Sequence, residues 1–379
     1  MAITSDCAES KIAWTETDRR MLNLALELAS KGVGQVSPGP LVGCVITSSS
    51  GDLVGEGYYL FDHVKHAETV ALEQAGEKAR GGTAYVSLEP HAHQGRTPPC
   101  TDALIAAGIK RVVAPSEDSN PKVSGRGFDH LRAAGIAVDI GLFADEAERL
   151  NEKYLHHMRT GLPFVHLKLA VSLDGKIATR TGDSRWVAGP ESLVRAHELR
   201  HEYDAILIGA GTATIDDPLL TDRSQLQRHR ALVRVVLDDR LSLGSGSRLA
   251  ESARESPVIV FSSDKVDSEK LQTLQSRGVE IVTVSSNRNP LNVLKELTDR
   301  SIQSVLIEGG GRVAGDFMDA GLINKATFLV APKIIGGQAA TSAVAGLGAE
   351  IMADAWSLQE VEVVQRGTDV EITGYPRRG

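Results

Sequence analysis

The segment "TETDRRMLNLALELASKG" sets apolar residues at helical spacing behind a threonine cap and closes at Gly32, which predicts a helix. In the next segment, "LVGCVITSSSGDLVGEGYYL", apolar runs flank Ser50 and Gly51, which predicts two strands joined by a turn. The pattern then alternates: a helix from His66 through "AETVALEQAGEKA", strand "TAYVSLEP", helix "PPCTDALIAAG", strand "KRVVAP", helix "FDHLRAAG" and strand "IAVDIGL". Such alternation predicts an α/β sandwich, with helices covering the apolar faces of one sheet.

The charged segment "ADEAERLNEKYLHHMRTG" predicts a helix that ends at Gly161, before Pro163, and marks a change of domain. Beyond it, strands begin afresh in "PFVHLKLAVSLDGKIA" and continue through "DAILIGA", "RVVLDD", "PVIVFSS", "VEIVTV", "SVLIEGGG" and "KATFLVAPKII". Helical patterns in "ESLVRAHELRHEY", "SEKLQTLQSRG" and "PLNVLKELTDR" separate them, so a second α/β unit with a largely parallel sheet is expected. A flexible "SLGSGSR" loop and a polar end complete this half, and no fixed-period repeat is visible. The expected organisation is a flexible leader over 1–16, one domain over 17–150 and a second over 151–379.

Composition narrows the function classes. The 379 residues are enough for two domains that each bury a core, and 42% hydrophobic with 24% charged residues is ordinary for a globular chain. The net charge of -8 arises from 41 basic against 49 acidic residues with no long basic run, which argues against a nucleic-acid partner. Three cysteines, Cys7, Cys44 and Cys100, make no disulfide framework, as expected in a reducing compartment. The start lacks a basic region followed by an apolar run, and no run approaches membrane-spanning length, so a cytoplasmic protein with no membrane partner is expected.

The first candidate chemistry lies in "HAE", His66 to Glu68, followed at a distance by "PPC", Pro98 to Cys100. Hydrolytic removal of an amino group from a base needs a nucleophile at neutral pH and a group that moves its proton. Zinc with three protein ligands and one open position lowers the pKa of bound water to about 7, and a glutamate that is not a ligand shuttles the proton. His66 and Cys100 are therefore candidate ligands and Glu68 the candidate catalytic acid and base. Cys100 stands at a predicted helix start, where the dipole favours a thiolate.

The chain resembles, along nearly its whole length, the bifunctional pyrimidine deaminase/reductase family of riboflavin biosynthesis, RibD. The resemblance rests on "HAE", "GRTPPCTDALIAAG", "VGCVI", "GEGY", "SLDGKIAT", "SRW", "DDPLLTDR" and "IEGGGRVAG", in the family's order. It implies a cytidine-deaminase-like α/β/α sandwich followed by a dihydrofolate-reductase-like α/β domain. Two departures fall on the first site: the family has "EPCSH" where this chain has "EPHAH", and "PNP" where it has Pro38-Gly39-Pro40. The second zinc ligand thus maps onto His91, giving a ligand set of His66, His91 and Cys100. The asparagine that contacts substrate maps onto Gly39.

In the second half, "EGGGRVAGDF" after "SVLI" places small residues at a helix start, a backbone arrangement suited to a cofactor phosphate, although not the G-x-G-x-x-G fingerprint. The resemblance implies NADPH as cofactor, with Ala170, Trp186, Thr212, Asp216 and Asp239 at its site. Gly310, Gly311, Arg312, Val313, Ala314, Gly315 and Asp316 would embrace its phosphates. For substrate the matched positions are Lys168, Ser184, Arg200, Leu220, Arg223 and Glu308, and the two arginines suit a phosphate clamp.

The resulting expectation is a two-domain enzyme on a small phosphorylated aminopyrimidine: zinc-dependent deamination of 2,5-diamino-6-(5-phosphoribosylamino)pyrimidin-4(3H)-one, then NADPH-dependent reduction of the ribosyl chain. Family habit implies a homo-oligomer. Two alternatives stand beside it. One is a reductase whose first domain, altered at His91 and Gly39, only binds or oligomerises. The other is an enzyme of a specialised pathway acting on a related aminopyrimidine.

Overall fold

A computed structural model describes residues 13–94, 98–284 and 289–378. Residues 1–12 of the expected leader, and the Gly95 to Thr97 part of the "GRTPPC" motif, lie outside the described residues. The chain divides into two compact units, the first ending at Arg159 and the second beginning at Thr160. The expected division lay after residue 150.

In the first unit, helix α1 (Glu16–Ser30) starts at a capping box: Asp18 N–H donates to Thr15 Oγ1, and Thr15 N–H donates back to Asp18. Strands β1 (Gly43–Thr47), β2 (Leu53–Tyr58), β3 (Thr83–Val86), β4 (Arg111–Ala114) and β5 (Ala137–Ile140) form a sheet in the order β2-β1-β3-β4-β5. β1 runs antiparallel to both its neighbours, and β3, β4 and β5 are parallel. Period-two alternation sends Cys44, Ile46, Ala84, Val86 and Val112 to one face, with residues of α2 (Ala67–Ala75), α3 (Cys100–Ala106) and α4 (Arg126–Ala133). Val45, Tyr85 and Val113 face the other side, where Met21, Leu22 and Leu28 of α1 cover them. The result is the expected α/β/α sandwich. α2 can lie close on β2 because a side chain at Gly55 or Gly57 would strike the backbone of Ala71 or Ala67.

Asp18 also accepts from Tyr85 Oη at 3.0 Å and Arg111 Nη1 at 2.6 Å, tying the start of α1 to β3 and β4. Burial opposes its charge, but Arg111 and Thr15 outweigh burial and hold it at about 2. The charged segment expected as one helix is two, α5 (Ala144–Leu150) and α6 (Glu152–Thr160), broken at Asn151. Asn151 is buried because its side chain serves the loop before β1.

The second unit contains β6 (Phe164–Ser172), β7 (Lys176–Ala178), α7 (Pro190–Glu202), β8 (Ala205–Gly209), α8 (Ala210–Asp216), β9 (Val233–Leu237), α9 (Arg248–Glu251) and β10 (Val258–Ser262). It continues through α10 (Ser268–Ser276), β11 (Glu280–Thr283), α11 (Pro290–Thr298), β12 (Ser304–Glu308), α12 (Gly311–Asp319), β13 (Lys325–Ala331), β14 (Thr341–Ser342), β15 (Trp356–Arg366) and β16 (Asp369–Arg378). The nine-stranded sheet runs β11-β10-β9-β8-β12-β6-β13-β16-β15 and is parallel from β11 to β13, as expected. β6 lies deep within it and shows only apolar, histidine, lysine and serine side chains over nine residues, consistent with burial on both faces.

The expected polar end is instead an antiparallel pair, β15 and β16, added to the edge of this sheet. Its outer strand is largely exposed, with Val361 and Val363 at 51% and 62%, and a register shift between Gln359 and Glu362 interrupts its period-two alternation.

Candidate active sites

His66 is the N-cap residue of α2 and Cys100 the first residue of α3, so both side chains leave from helix starts on the same face of the first sheet. His66 Nδ1 stands 3.3 Å from Cys100 Sγ. His91 comes from the loop after β3, with its ring centroid 4.6 Å from that of His66. One ligand atom each from His66, His91 and Cys100 lies within 4.8 Å of the others. That is the reach of a single ion with bonds of about 2.0–2.3 Å to nitrogen and sulfur.

The loop carrying His91 is fixed at both sides of the residue. Buried Glu89 accepts backbone N–H groups from Asp118, Gly125 and Gly127 at 2.8–2.9 Å. The His91 carbonyl accepts the Thr101 N–H at 3.4 Å, which satisfies a free donor of the first turn of α3. His93, two residues further, keeps its ring 5.1 Å from that of His91.

Burial, with the neighbouring His66 and His93, lowers the His91 imidazole to about 4, so at neutral pH it is the uncharged form that coordinates metals. The thiol of Cys100 is pushed well up by burial and by the charge of Glu68, and Cys44 likewise. Desolvation and the nearby carboxylate thus favour the neutral thiol, and a bound dication would be what ionises it. Glu68 is 3% exposed, and its Oε2 has no hydrogen-bond partner among the described residues. Two imidazoles, a thiol that a dication would ionise and an orphaned carboxylate oxygen fit a zinc ion with one open position.

Gly39 lies in the loop before β1. Asn151 clasps that loop: it accepts the Leu41 N–H at 2.8 Å and donates to the Leu41 carbonyl at 2.9 Å. Sequence reading missed Asn151, since a polar residue inside a charged helical pattern carries no signal of a contact 110 positions away.

In the second unit, pairing of β6 with β12 sets Lys168 opposite Glu308. Arg200, near the end of α7, meets both oxygens of Glu308 at 2.7 and 2.9 Å, and Lys168 Nζ stands 3.3 Å from Oε2. Burial would raise the Glu308 carboxyl, but Arg200 and Lys168 overcome it and hold the group at about 2. Arg200 also donates to the Thr221 carbonyl, so its fork is occupied from within the chain, whereas Arg223 is exposed. Arg228, also missed, donates to the carbonyls of Arg200, His201 and Tyr203 and so closes the end of the helix that carries Arg200.

Thr212 and Asp216, in α8 directly after β8, and Gly309 and Gly310, after β12, stand at the carboxyl ends of neighbouring strands, where open α/β sheets hold ligands. Gly309 and Gly310 have φ of 96° and 80°, and a Cβ on either would point at Thr212 Oγ1, 3.6 and 3.5 Å away. This leaves bare backbone at the start of α12, a cradle that fits a cofactor phosphate. Ser184 donates to Asp216 at 2.9 Å, and Trp186 is 66% exposed. Ala170 follows Lys168 by two residues on β6, and the Asp239 carbonyl accepts the Ser263 hydroxyl at 2.9 Å.

The 310–316 run does not act as one surface. Val313 and Ala314 are core residues, and Gly311 and Gly315 abut the backbone of 342–345. Arg312 and Asp316 line a cleft of about 770 Å³ with Asn289 and Leu347. Within 311–315 only Arg312 thus turns a charged side chain to the surface, and the other positions have backbone alone to offer. Leu220 has its side chain in a core cluster, so only its backbone is available to a substrate.

Residues 163–372 match the RibD C-terminal domain family, and residues 15–116 match the cytidine and deoxycytidylate deaminase zinc-binding region. The riboflavin biosynthesis protein RibD of Bacillus amyloliquefaciens is 40% identical over 94% of this chain and 96% of its own length. The Escherichia coli (strain K12) protein of the same name is 39% identical over 93% and 98%. The solved structure of Acinetobacter baumannii RibD, form 1, is 36% identical, covers 95% of this chain and 99% of its own, and superposes with a TM-score of 0.85. A Thermotoga maritima structure titled as a diaminohydroxyphosphoribosylaminopyrimidine deaminase/5-amino-6-(5-phosphoribosylamino)uracil reductase gives 35% identity and a TM-score of 0.82 over the same shares. The reading in which the first domain merely binds or oligomerises is not favoured, because the zinc-binding match is accompanied by converging donors. With a cytidine deaminase-like domain followed by the family's reductase domain, the chain belongs to the RibD family of riboflavin biosynthesis.

Proposed function

We propose that the first domain hydrolyses the 2-amino group of 2,5-diamino-6-(5-phosphoribosylamino)pyrimidin-4(3H)-one and that the second reduces the ribosyl chain of the product with NADPH. The observation that carries this reading is the meeting of His66, His91 and Cys100 beside the orphaned Oε2 of Glu68. A zinc ion held by these three residues would supply an acidified water, with a pKa of about 7. Glu68 Oε2 is placed to carry a proton from that water to the ring nitrogen beside the amino-bearing carbon. The second proton leaves with ammonia by the same oxygen.

In the second domain NADPH would supply the hydride. Lys168, set by the sheet register and by Glu308, is the proton donor we assign to the sugar oxygen. Arg200 fixes Glu308, and exposed Arg223 is the arginine left to meet the substrate phosphate. Thr212, Asp216 and Ser184, which the structure links to one another or to the glycines before α12, are assigned to the cofactor and substrate walls, and Trp186, Ala170 and Asp239 join them by the family resemblance.

No helix among the described residues is long and apolar enough to cross a membrane. A cytoplasmic homo-oligomer without a nucleic-acid partner fits the acidic balance and the exposed apolar residues of β15. The test is to follow two half-reactions in one preparation. Zinc-loaded protein should release ammonia from the diaminopyrimidine phosphoriboside in a chelator-sensitive way, and should oxidise NADPH when given the deaminated substrate. NADPH oxidation without any ammonia release would refute the bifunctional reading.

A further inference from the structure

Tyr59 directly follows β2, and its N–H donates to the Val42 carbonyl at 2.9 Å, which fixes the residue against the start of β1. Its ring meets the His66 ring edge-on, with centroids 5.2 Å apart, so the phenol stands beside one of the three converging donors. On its other side the ring fills the space over Gly39. A Cβ at Gly39 would lie 3.0 Å from Tyr59 Cε1, 3.1 Å from the Val36 carbonyl and 3.6 Å from the Tyr59 hydroxyl. Gly39 is therefore bare because the ring is there: a side chain at 39 and the phenol at 59 are alternative fillings of one volume. Gly39 N–H donates to Val36 at 2.7 Å and Asn151 clasps Leu41, so the loop cannot easily move away.

We infer that the Tyr59 hydroxyl is a substrate-recognising group of the first site, holding a polar edge of the aminopyrimidine ring where Gly39 has nothing to offer. The inference rests on the deaminase reading of that site and adds to it the group that selects the ring. A hydroxyl rotates to donate or accept, so it can meet an amino-bearing or a carbonyl-bearing edge of the pyrimidine. A side-chain amide at the same place has its donors and acceptor fixed in opposite directions and would discriminate more sharply between those edges.

The test uses the full chain loaded with zinc and the steady-state release of ammonia. Tyr59→Phe keeps the ring against His66 and Gly39 and removes only the hydroxyl. It should raise the KM about tenfold, the effect of one lost hydrogen bond, while kcat, bound zinc and NADPH oxidation by the second domain stay as in the native chain. Gly39→Asn should lower kcat/KM by crowding the ring, and Gly39→Asn combined with Tyr59→Ala should be less impaired than the two losses multiplied together. An unchanged KM in Tyr59→Phe, or a loss of kcat that follows a loss of zinc, overturns the inference while leaving the deaminase reading intact. A native chain that binds zinc and releases no ammonia overturns that reading itself, and this inference with it.

Discussion

In the second domain the buried carboxylate of Glu308 meets two cations of its own chain, whereas in the first the buried carboxylate of Glu68 has an oxygen with no partner among the described residues. The first arrangement is satisfied as folded. The second is left with an orphaned acceptor and a thiol that burial keeps protonated, and both defects are cured by an ion and its water. Strain of this sort is tolerated where chemistry needs it. Damage to the two sites should accordingly show in different measurements.

The comparison breaks first at Glu68. Glu68→Gln keeps the shape and removes the proton carrier, so ammonia release should fall by about a hundred- to ten-thousandfold while NADPH oxidation by the second domain is unchanged. A loss of both activities together would mean that Glu68 supports the fold.

Glu308→Gln should act mainly on stability. It leaves Arg200 and Lys168 as buried cations without their anion, at a cost of about 3–5 kcal/mol in chemical denaturation. Because the folded protein holds this carboxyl down from 4.5 to about 2, folding favours its ionised form. That contribution is present in full above the unfolded value and is lost as pH falls from about 4.5 toward 2. The gap between the native chain and Glu308→Gln should be widest near neutral pH and narrow below pH 4. A gap constant across that range would show that the ion triad is not its source.

The smallest effect expected is that of Asn151→Ala. It frees the Leu41 N–H and carbonyl and should cost the first domain about 1–3 kcal/mol, with a raised KM for deamination and zinc retained. Zinc loss in this variant would place the clasp in the metal site rather than beside it.

How much of this was legible in the sequence follows the range of the interactions. The elements around both sheets were readable because their apolar spacing is local, and "HAE" and "PPC" were readable because each ligand sits at a helix start that its own neighbours announce. The resemblance added His91, which no local pattern marks as a ligand. Asn151 and Arg228 were invisible, since each satisfies backbone groups many positions away. The β15 and β16 pair was missed because a register shift between Gln359 and Glu362 breaks the alternation of the exposed edge strand into two short stretches. Leu220 and Ala314 were assigned to ligand contact, yet their side chains serve the core, a distinction between side chain and backbone that a motif does not carry.

The claim on which the account turns is that His91 completes the first site. Zinc bound per chain should be measured by equilibrium dialysis and elemental analysis on the native protein and on His91→Ala. The account predicts one zinc per native chain and an affinity weakened by at least about a hundredfold in His91→Ala. Equal retention of zinc by the two proteins would contradict it.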